Sequence, residues 1–177
     1  MRKYLVITVT GHDRTGLVEY ITKRILAFDG NVEASQMARL GGEFAMLMMV
    51  SVSAEKLDDL RENVRQLRQE DFKVTTRETQ RGVSTKYTGW MPYRVKVNGA
   101  DHEGIIHQIA AYMAEHGVNI ETMETGLINA PMSGIPLFTM DAVVVVPPNL
   151  DQQDWREELV AVGDRLNVDV EVSRYTG

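Results

Sequence analysis

A chain of 177 residues with 44% hydrophobic and 25% charged side chains has the apolar content of a globular protein, which excludes disorder. It has no cysteine, so disulfides, thiolate catalysis and sulfur-ligated zinc are excluded as well. A net charge of −6 disfavours direct binding to nucleic acid, because affinity for a phosphate backbone comes from clustered Lys and Arg releasing counterions.

Met1-Arg2-Lys3 ahead of Tyr4 to Val9 has the start of a signal peptide, but Gly11-His12-Asp13-Arg14 breaks the apolar run too early. The mostly apolar run Tyr4 to Val9 instead predicts a central strand. After a Gly-x-Asp-x-x-Gly turn, Leu17, Ile21, Ile25 and Phe28 form one helical stripe that Asp29-Gly30 ends. Asn31 to Met37 reads as a second strand, Gly41-Gly42 as a hairpin turn and Phe44 to Val52 as a third strand. Ser53 is placed to cap a helix whose buried face is Leu57, Leu60, Val64 and Leu67. Its charged residues, from Glu55 to Asp71, form a solvated face. Lys73 to Arg77 is the last strand of this half.

A polar, turn-rich connector with Tyr87, Trp90 and Met91 interspersed then leads into a second copy of the pattern. Tyr93, Val95 and Val97 mark its first strand. Ile105, Ile109, Tyr112 and Met113 line a helix ended by Gly117. Phe138 to Val146 is a strand stopped by Pro147-Pro148, and its longest apolar stretch is too short to span a bilayer. Leu150 ahead of a capping Asp151 would staple onto Trp155, which shares a helix face with Leu159, Val162 and Leu166. Val168, Val170 and Val172 close the half.

The two halves are one sequence written twice. Shifted by 101 − 13 = 88 residues, positions 5–33 match 93–121 at seven of 29 places, among them Gly11/Gly99, Asp13/Asp101, Gly16/Gly104, Asn31/Asn119 and Glu33/Glu121. So long a period means domains rather than a solenoid. The expected architecture is α+β: two ferredoxin-like βαββαβ domains in tandem, at residues 1–79 and 92–177, joined by a linker at 80–91. The main asymmetry is six extra residues near 127–134. The ten methionines, including Met46, Met48, Met49, Met123, Met132 and Met140, suggest adaptable packing or a partner surface.

Each Gly-x-Asp-x-x-Gly joins a strand to a helix, where unpaired backbone N–H groups favour an anion and a small carboxylate would fit. Gly16 and Gly104 would let a ligand or a neighbouring backbone approach closely. Asp13 and Asp101 stand either as helix caps or as acceptors for an ammonium group. Asn31 and Asn119 open the second strand of each half, where an amide can serve a carboxylate and an amine together or simply complete a turn. The four histidines make no metal site: His102 and His107 are five apart, whereas zinc-binding helical pairs are four apart. No metal or cofactor is expected. Arg14 with Asn31 offers an enzymatic alternative, a small acyl-phosphate hydrolase in which one holds phosphate and the other positions water. A third alternative is a pure assembly module with empty loops.

With this topology twice over, Gly-x-Asp-x-x-Gly-hydrophobic leading into each first helix and Asn-hydrophobic-Glu after it, nearly the whole chain resembles a tandem ACT-domain protein. It is most similar to the stand-alone kind typified by the glycine cleavage system transcriptional repressor family, which has no catalytic domain attached. The resemblance implies domains that pair side by side and bind a small effector, often an amino acid, between the first loop of one domain and the second strand of another. Carried onto this chain, the ligand-binding positions are Asp13, Arg14, Thr15, Gly16, Leu17, Asn31 and Val32, and Asp101, His102, Glu103, Gly104, Ile105, Asn119 and Ile120. Glu103 beside Asp101 would repel a carboxylate, so the first loop is the better candidate. The resemblance further implies a non-catalytic regulator that senses glycine or serine and acts through a protein partner on transcription of glycine cleavage genes; the interrupted leader and the lack of a bilayer-spanning run read as cytoplasmic, and exposed sheet edges favour a dimer.

Overall fold

The structure, a computed structural model, describes residues 1–80, 87–130, 134–152 and 154–176. The chain divides into two compact units, Met1–Val83 and Ser84–Gly177.

In the first unit, β1 (Arg2–His12) leads into α1 (Leu17–Leu26), β2 (Asn31–Leu40) and β3 (Glu43–Ser53). After these come α2 (Leu57–Arg65) and β4 (Lys73–Thr79). The strands form one antiparallel sheet in the order β2-β3-β1-β4, the ferredoxin-like arrangement read from the sequence. Leu5, Ile7 and Val9 of β1 meet Met46, Met48 and Val50 of β3, Leu17, Ile21 and Ile25 of α1, and Leu57, Leu60 and Val64 of α2 in one buried core.

The second unit repeats the plan with β5 (Met91–Ala100), α3 (Ile105–Glu115), β6 (Asn119–Asn129) and β7 (Pro136–Val146). A one-turn helix α4 (Pro148–Asp151), then α5 (Trp155–Arg165) and β8 (Val168–Arg174), complete it, with the sheet order β6-β7-β5-β8. Its core gathers Tyr93, Val95 and Val97 with Ile105, Ile109, Met113, Trp155 and Leu159.

Several local expectations are corrected. The helix expected after Ser53 is broken into a 3-10 turn at Ala54–Lys56, α2, and a second 3-10 turn at Gln66–Glu70, and Ser53 makes no capping bond. Its apolar face is nevertheless buried from Leu57 to Leu67. Phe28 lies beyond the end of α1 and packs on the core from the following turn. Asp151 caps nothing: it ends α4 and accepts the Tyr93 hydroxyl at 2.6 Å, so it secures β5 to the chain entering α5. Leu150 and Trp155 are both buried in the same core. Of the asymmetric stretch, Leu127, Ile128 and Asn129 extend β6, while 131–133 lie outside the described residues, Met132 among them.

The β2–β3 turn needs its glycines. Gly41 and Gly42 have φ of 57° and 85°, the two successive left-handed residues of a type I′ hairpin, whose twist matches the strands it joins.

Candidate functional site

The repeated loops sit at one end of each sheet, just beyond His12 and Ala100, and both glycines of each motif have a mechanical reason. A Cβ on Gly11 would fall 2.6 Å from the Phe72 ring, and one on Gly99 would fall 2.8 Å from Val168 Cα. The residue entering the closing strand packs straight onto β1 or β5 there. Gly16 and Gly104 are the N-cap residues of α1 and α3, at φ 87° and 92°, a region that a side chain disfavours. A Cβ at either would meet nothing within 4 Å, so these positions require left-handed backbone while leaving the helix start open.

That overturns the reading of Asp13 and Asp101 as helix caps, since neither α1 nor α3 has a side-chain capping bond. The glycine three residues later occupies the cap position instead. The Asp13 carboxylate faces Arg39 of β2 at 3.4 Å, and its backbone N–H donates to the Gly42 carbonyl at 2.9 Å. Asp101 N–H likewise donates to the Pro136 carbonyl at 3.3 Å. Each loop is thus tied to its own β-hairpin. With no side chain capping them, the first-turn N–H groups point outward from a positive helix end.

The basic residue after each aspartate ties the loop in a second direction. Arg14 Nη2 lies 3.5 Å from a Glu70 oxygen, with its guanidinium 5.4 Å from the Phe72 ring centre. Glu70 is also held by the Tyr20 hydroxyl at 2.6 Å and by Arg24 at 2.9 Å. In the second unit His102 presents Nε2 to the Leu166 carbonyl at 2.6 Å and Nδ1 to the Glu103 carbonyl at 3.0 Å. Only an imidazolium donates from both nitrogens, so these carbonyls raise the His102 pKa above its ordinary value, with Leu166 the larger cause. Leu166 C=O also belongs to the negative end of α5. Glu70 and Leu166 are equivalent places, each three residues before the residue opposite Thr10 or Asn98. Sequence reasoning treated Arg14 and His102 as ligand groups and missed this anchoring role. An aligned Arg and His give no hint that one will find a carboxylate and the other a backbone carbonyl.

Asn31 and Asn119 stand far from the loops of their own domains. Asn31 is opposite Ser51, which is opposite Tyr4, whereas the loop follows His12, eight residues further along β1. At roughly 3.3 Å per residue that is about 26 Å, the length of the sheet. This separation corrects the hydrolase alternative, because Arg14 and Asn31 of one domain cannot hold one phosphate between them. Nor is Asn31 the left-handed residue of the turn. That conformation falls on Asp29 and Gly117, two residues earlier in each domain.

Both asparagines instead anchor a β-bulge. The β2–β3 register shifts between Val32 and Ala34, and the β6–β7 register shifts between Ile120 and Thr122. The residues at the irregularities are Glu33 and Glu121, and each accepts from the asparagine two positions earlier, at 3.1 Å and 2.6 Å. Glu33 also accepts the hydroxyl of the fully buried Ser51 at 2.5 Å. The recurrence of Asn-x-Glu at the 88-residue shift was the signal for these carboxylates.

The other candidate positions divide by exposure. Leu17 and Ile105 are core residues, and Val32 and Ile120 are half-buried and pack against their cores. Thr15 and Glu103 are exposed. A depression of about 550 Å³ opens at the start of α3, lined by Asp101, His102, Gly104, Ile105, His107 and Phe138. One of about 380 Å³ lies beside the first loop, lined by Thr10, Gly11, His12, Glu43, Asp71 and Lys73. Among the described residues there is no cluster of three His, Asp or Glu able to hold a metal, and no helix long and apolar enough to cross a membrane.

A family model for the ACT domain matches residues 3–77, which spans the first βαββαβ unit from β1 to β4. The chain belongs to the ACT-domain family. Its two units make it a tandem ACT protein, and a crystal structure of an unknown protein from Galdieria sulphuraria shares that plan over the full length. It is 31% identical with a TM-score of 0.86, covering 99% of this chain and 100% of the other. The crystal structure of a protein provisionally assigned as a glycine cleavage system transcriptional repressor has the same fold, with a TM-score of 0.72 at 19% identity over 100% of this chain and 99% of the other. The glycine cleavage system transcriptional repressors of Escherichia coli (strain K12) and Shigella flexneri are each 46% identical over 50 residues. That stretch is 28% of this chain and 26% of theirs, so the match spans about a quarter of those relatives' length. Over that stretch the chain is similar to the repressor, and over its full length it shares the fold of the protein provisionally assigned as one.

Proposed function

We propose that this protein is a non-catalytic amino-acid sensor, binding glycine or serine first among candidates. Ligand occupancy then sets its affinity for a regulatory protein partner, acting in the cytoplasm on transcription of glycine cleavage genes. The observation that carries the reading is the duplicated helix start: a left-handed glycine at the cap, no side chain in the cap position and open space above it, in both ACT domains. Such a terminus takes a carboxylate on its first-turn N–H groups. The carboxyl, ammonium and small size of an amino acid suit that opening together with an acceptor such as an asparagine amide or aspartate.

Geometry supports a site made by two domains rather than one. Loop and asparagine lie at opposite ends of their own sheet, so a single small molecule meets both kinds of group only where two domains lie antiparallel along their outer strands. β2 and β6 are such strands, each at a sheet edge and mostly exposed, with Met37, Leu40, Leu127 and Ile128 more than half exposed. Unpaired apolar edges of this kind favour pairing, and a homodimer follows naturally. A ligand that binds the paired arrangement better than the unpaired one shifts the population toward it, which is how occupancy reaches the partner.

Isothermal titration of the full chain against the twenty common amino acids tests the reading. Saturable heat with a small amino acid is expected. No heat and no thermal shift with any of them would leave the assembly module, whose loops never take a metabolite, as the better account.

A further inference from the structure

The two asparagines are equivalent in sequence and in their bulge, yet their amides are not equally available. Each gives its Nδ2 to the bulge glutamate, at 3.1 Å for Asn31 and 2.6 Å for Asn119. The amide oxygen then distinguishes them. Asn119 Oδ1 accepts the Tyr87 hydroxyl at 2.9 Å. Among the described residues no donor reaches Asn31 Oδ1, and Asn31 is exposed where Asn119 is half-buried. The phenol is well placed: the Tyr87 ring lies edge-on to Trp90, centroids 4.9 Å apart, and Trp90 N–H closes a turn on the Tyr87 carbonyl at 3.1 Å. With Nδ2 committed to Glu121 and Oδ1 to Tyr87, Asn119 has its principal hydrogen-bonding groups engaged within its own domain.

We propose that Tyr87 occupies, in the second ACT domain, the amide acceptor that an amino-acid ammonium group takes at Asn31 in the first, so each chain binds one amino acid rather than two. The proposal rests on the sensor reading above and sharpens it. An ammonium group reaching Asn119 would have to displace a neutral hydrogen bond that the edge-on contact with Trp90 already holds in place, whereas at Asn31 it displaces only water. The duplicated site thus becomes a working copy and a copy plugged by the chain's own connector. The Tyr87 hydroxyl, a single oxygen, decides between them.

The test counts sites by isothermal titration of the full chain with glycine and then L-serine, with thermal melting to confirm that each variant is folded. The parent is expected to bind one amino acid per chain, and Asn31→Ala to abolish that binding. Tyr87→Phe keeps the ring against Trp90 and removes only the hydroxyl; it is expected to raise the count to two, and Tyr87→Phe with Asn119→Ala to return it to one. A parent that binds two per chain, or a folded Tyr87→Phe protein that still binds one, overturns the proposal while the sensor reading stands. Absence of heat in the parent and in every variant with either probe overturns both.

Discussion

Along the central strand of each ACT domain, the residues under the helices are Leu5, Ile7 and Val9 in one and Tyr93, Val95 and Val97 in the other, all buried. The residues between them, on the open face, are Val6, Thr8 and Thr10 in one but Arg94, Lys96 and Asn98 in the other. The first open face carries an apolar depression of about 340 Å³ with Val6, Ala34, Leu47 and Met49 in its lining. The second carries Lys96, Glu124 and Asp141, and Arg94 grips Asp141 with two hydrogen bonds at 2.8 and 2.5 Å. Duplication has kept what the fold needs and released what it does not. The loops follow the same division: their glycines recur with nearly the same backbone, while the residues that anchor them have changed from Arg14 on a carboxylate to His102 on carbonyls.

The largest expected break in the comparison comes from the cores. Trp155, the first residue of α5, is fully buried against Tyr93, and Trp155→Ala is expected to cost about 3–5 kcal/mol in denaturant unfolding. Hydrogen exchange should place that loss in the second core, with amides of β1 and β3 still protected.

Next come the first glycines of the motifs. Gly99→Ala drives a Cβ against the Val168 backbone, which cannot swing aside, and is expected to cost about 1–3 kcal/mol. Gly11→Ala meets mainly the Phe72 ring, which can turn, and should cost clearly less by the same measurement. The second glycines should instead behave alike. Gly16→Ala and Gly104→Ala add a Cβ to open space at positive φ, so each is expected to cost about 1–2 kcal/mol from backbone conformation alone. A large difference between them would show that something covers one loop.

The smallest effect concerns pH. Because the folded-state pKa of His102 is raised, its contribution is fully present below its ordinary value of 6.5 and is lost as pH rises through the raised folded value. A guanidinium keeps its charge throughout that range. Amide exchange at residues 101–104 should therefore quicken as pH climbs through the His102 transition, beyond the intrinsic pH dependence, while the same correction leaves residues 13–16 unchanged. An NMR titration of the His102 ring that follows a free imidazole would remove the anchor from the account.

Much of this was legible in the chain before any coordinates. The stripe Leu17, Ile21, Ile25 and the alternation of Leu5, Ile7 and Val9 mark buried faces because helix and strand periods leave few other ways to hide those side chains. The 88-residue shift then carried the same topology into the second half. The caps were misread for a physical reason: Asp leads the N-cap preference, yet a glycine three residues on, free to adopt positive φ, moved the helix start past it. The anchoring of Arg14 and His102 and the Tyr87 bond depend on contacts made across the fold, at separations no local pattern reports, whereas the bulge carboxylates Glu33 and Glu121 recur two residues after each asparagine. The longer hairpin of the second half was visible as an insertion, but its first residues turned out to lengthen β6.

The central claim is that one amino acid bridges the loop of one ACT domain and the β2 end of another. A two-dimensional amide NMR titration of the full chain with the amino acid that binds tests it most directly. The account predicts saturating shifts that share one binding curve at a loop, residues 13–17 or 101–105, and at Asn31 to Glu33, because the two regions lie a sheet's length apart in a single domain. Shifts confined to one end of the sheet, or to the open face around Val6, Leu47 and Met49, would contradict it.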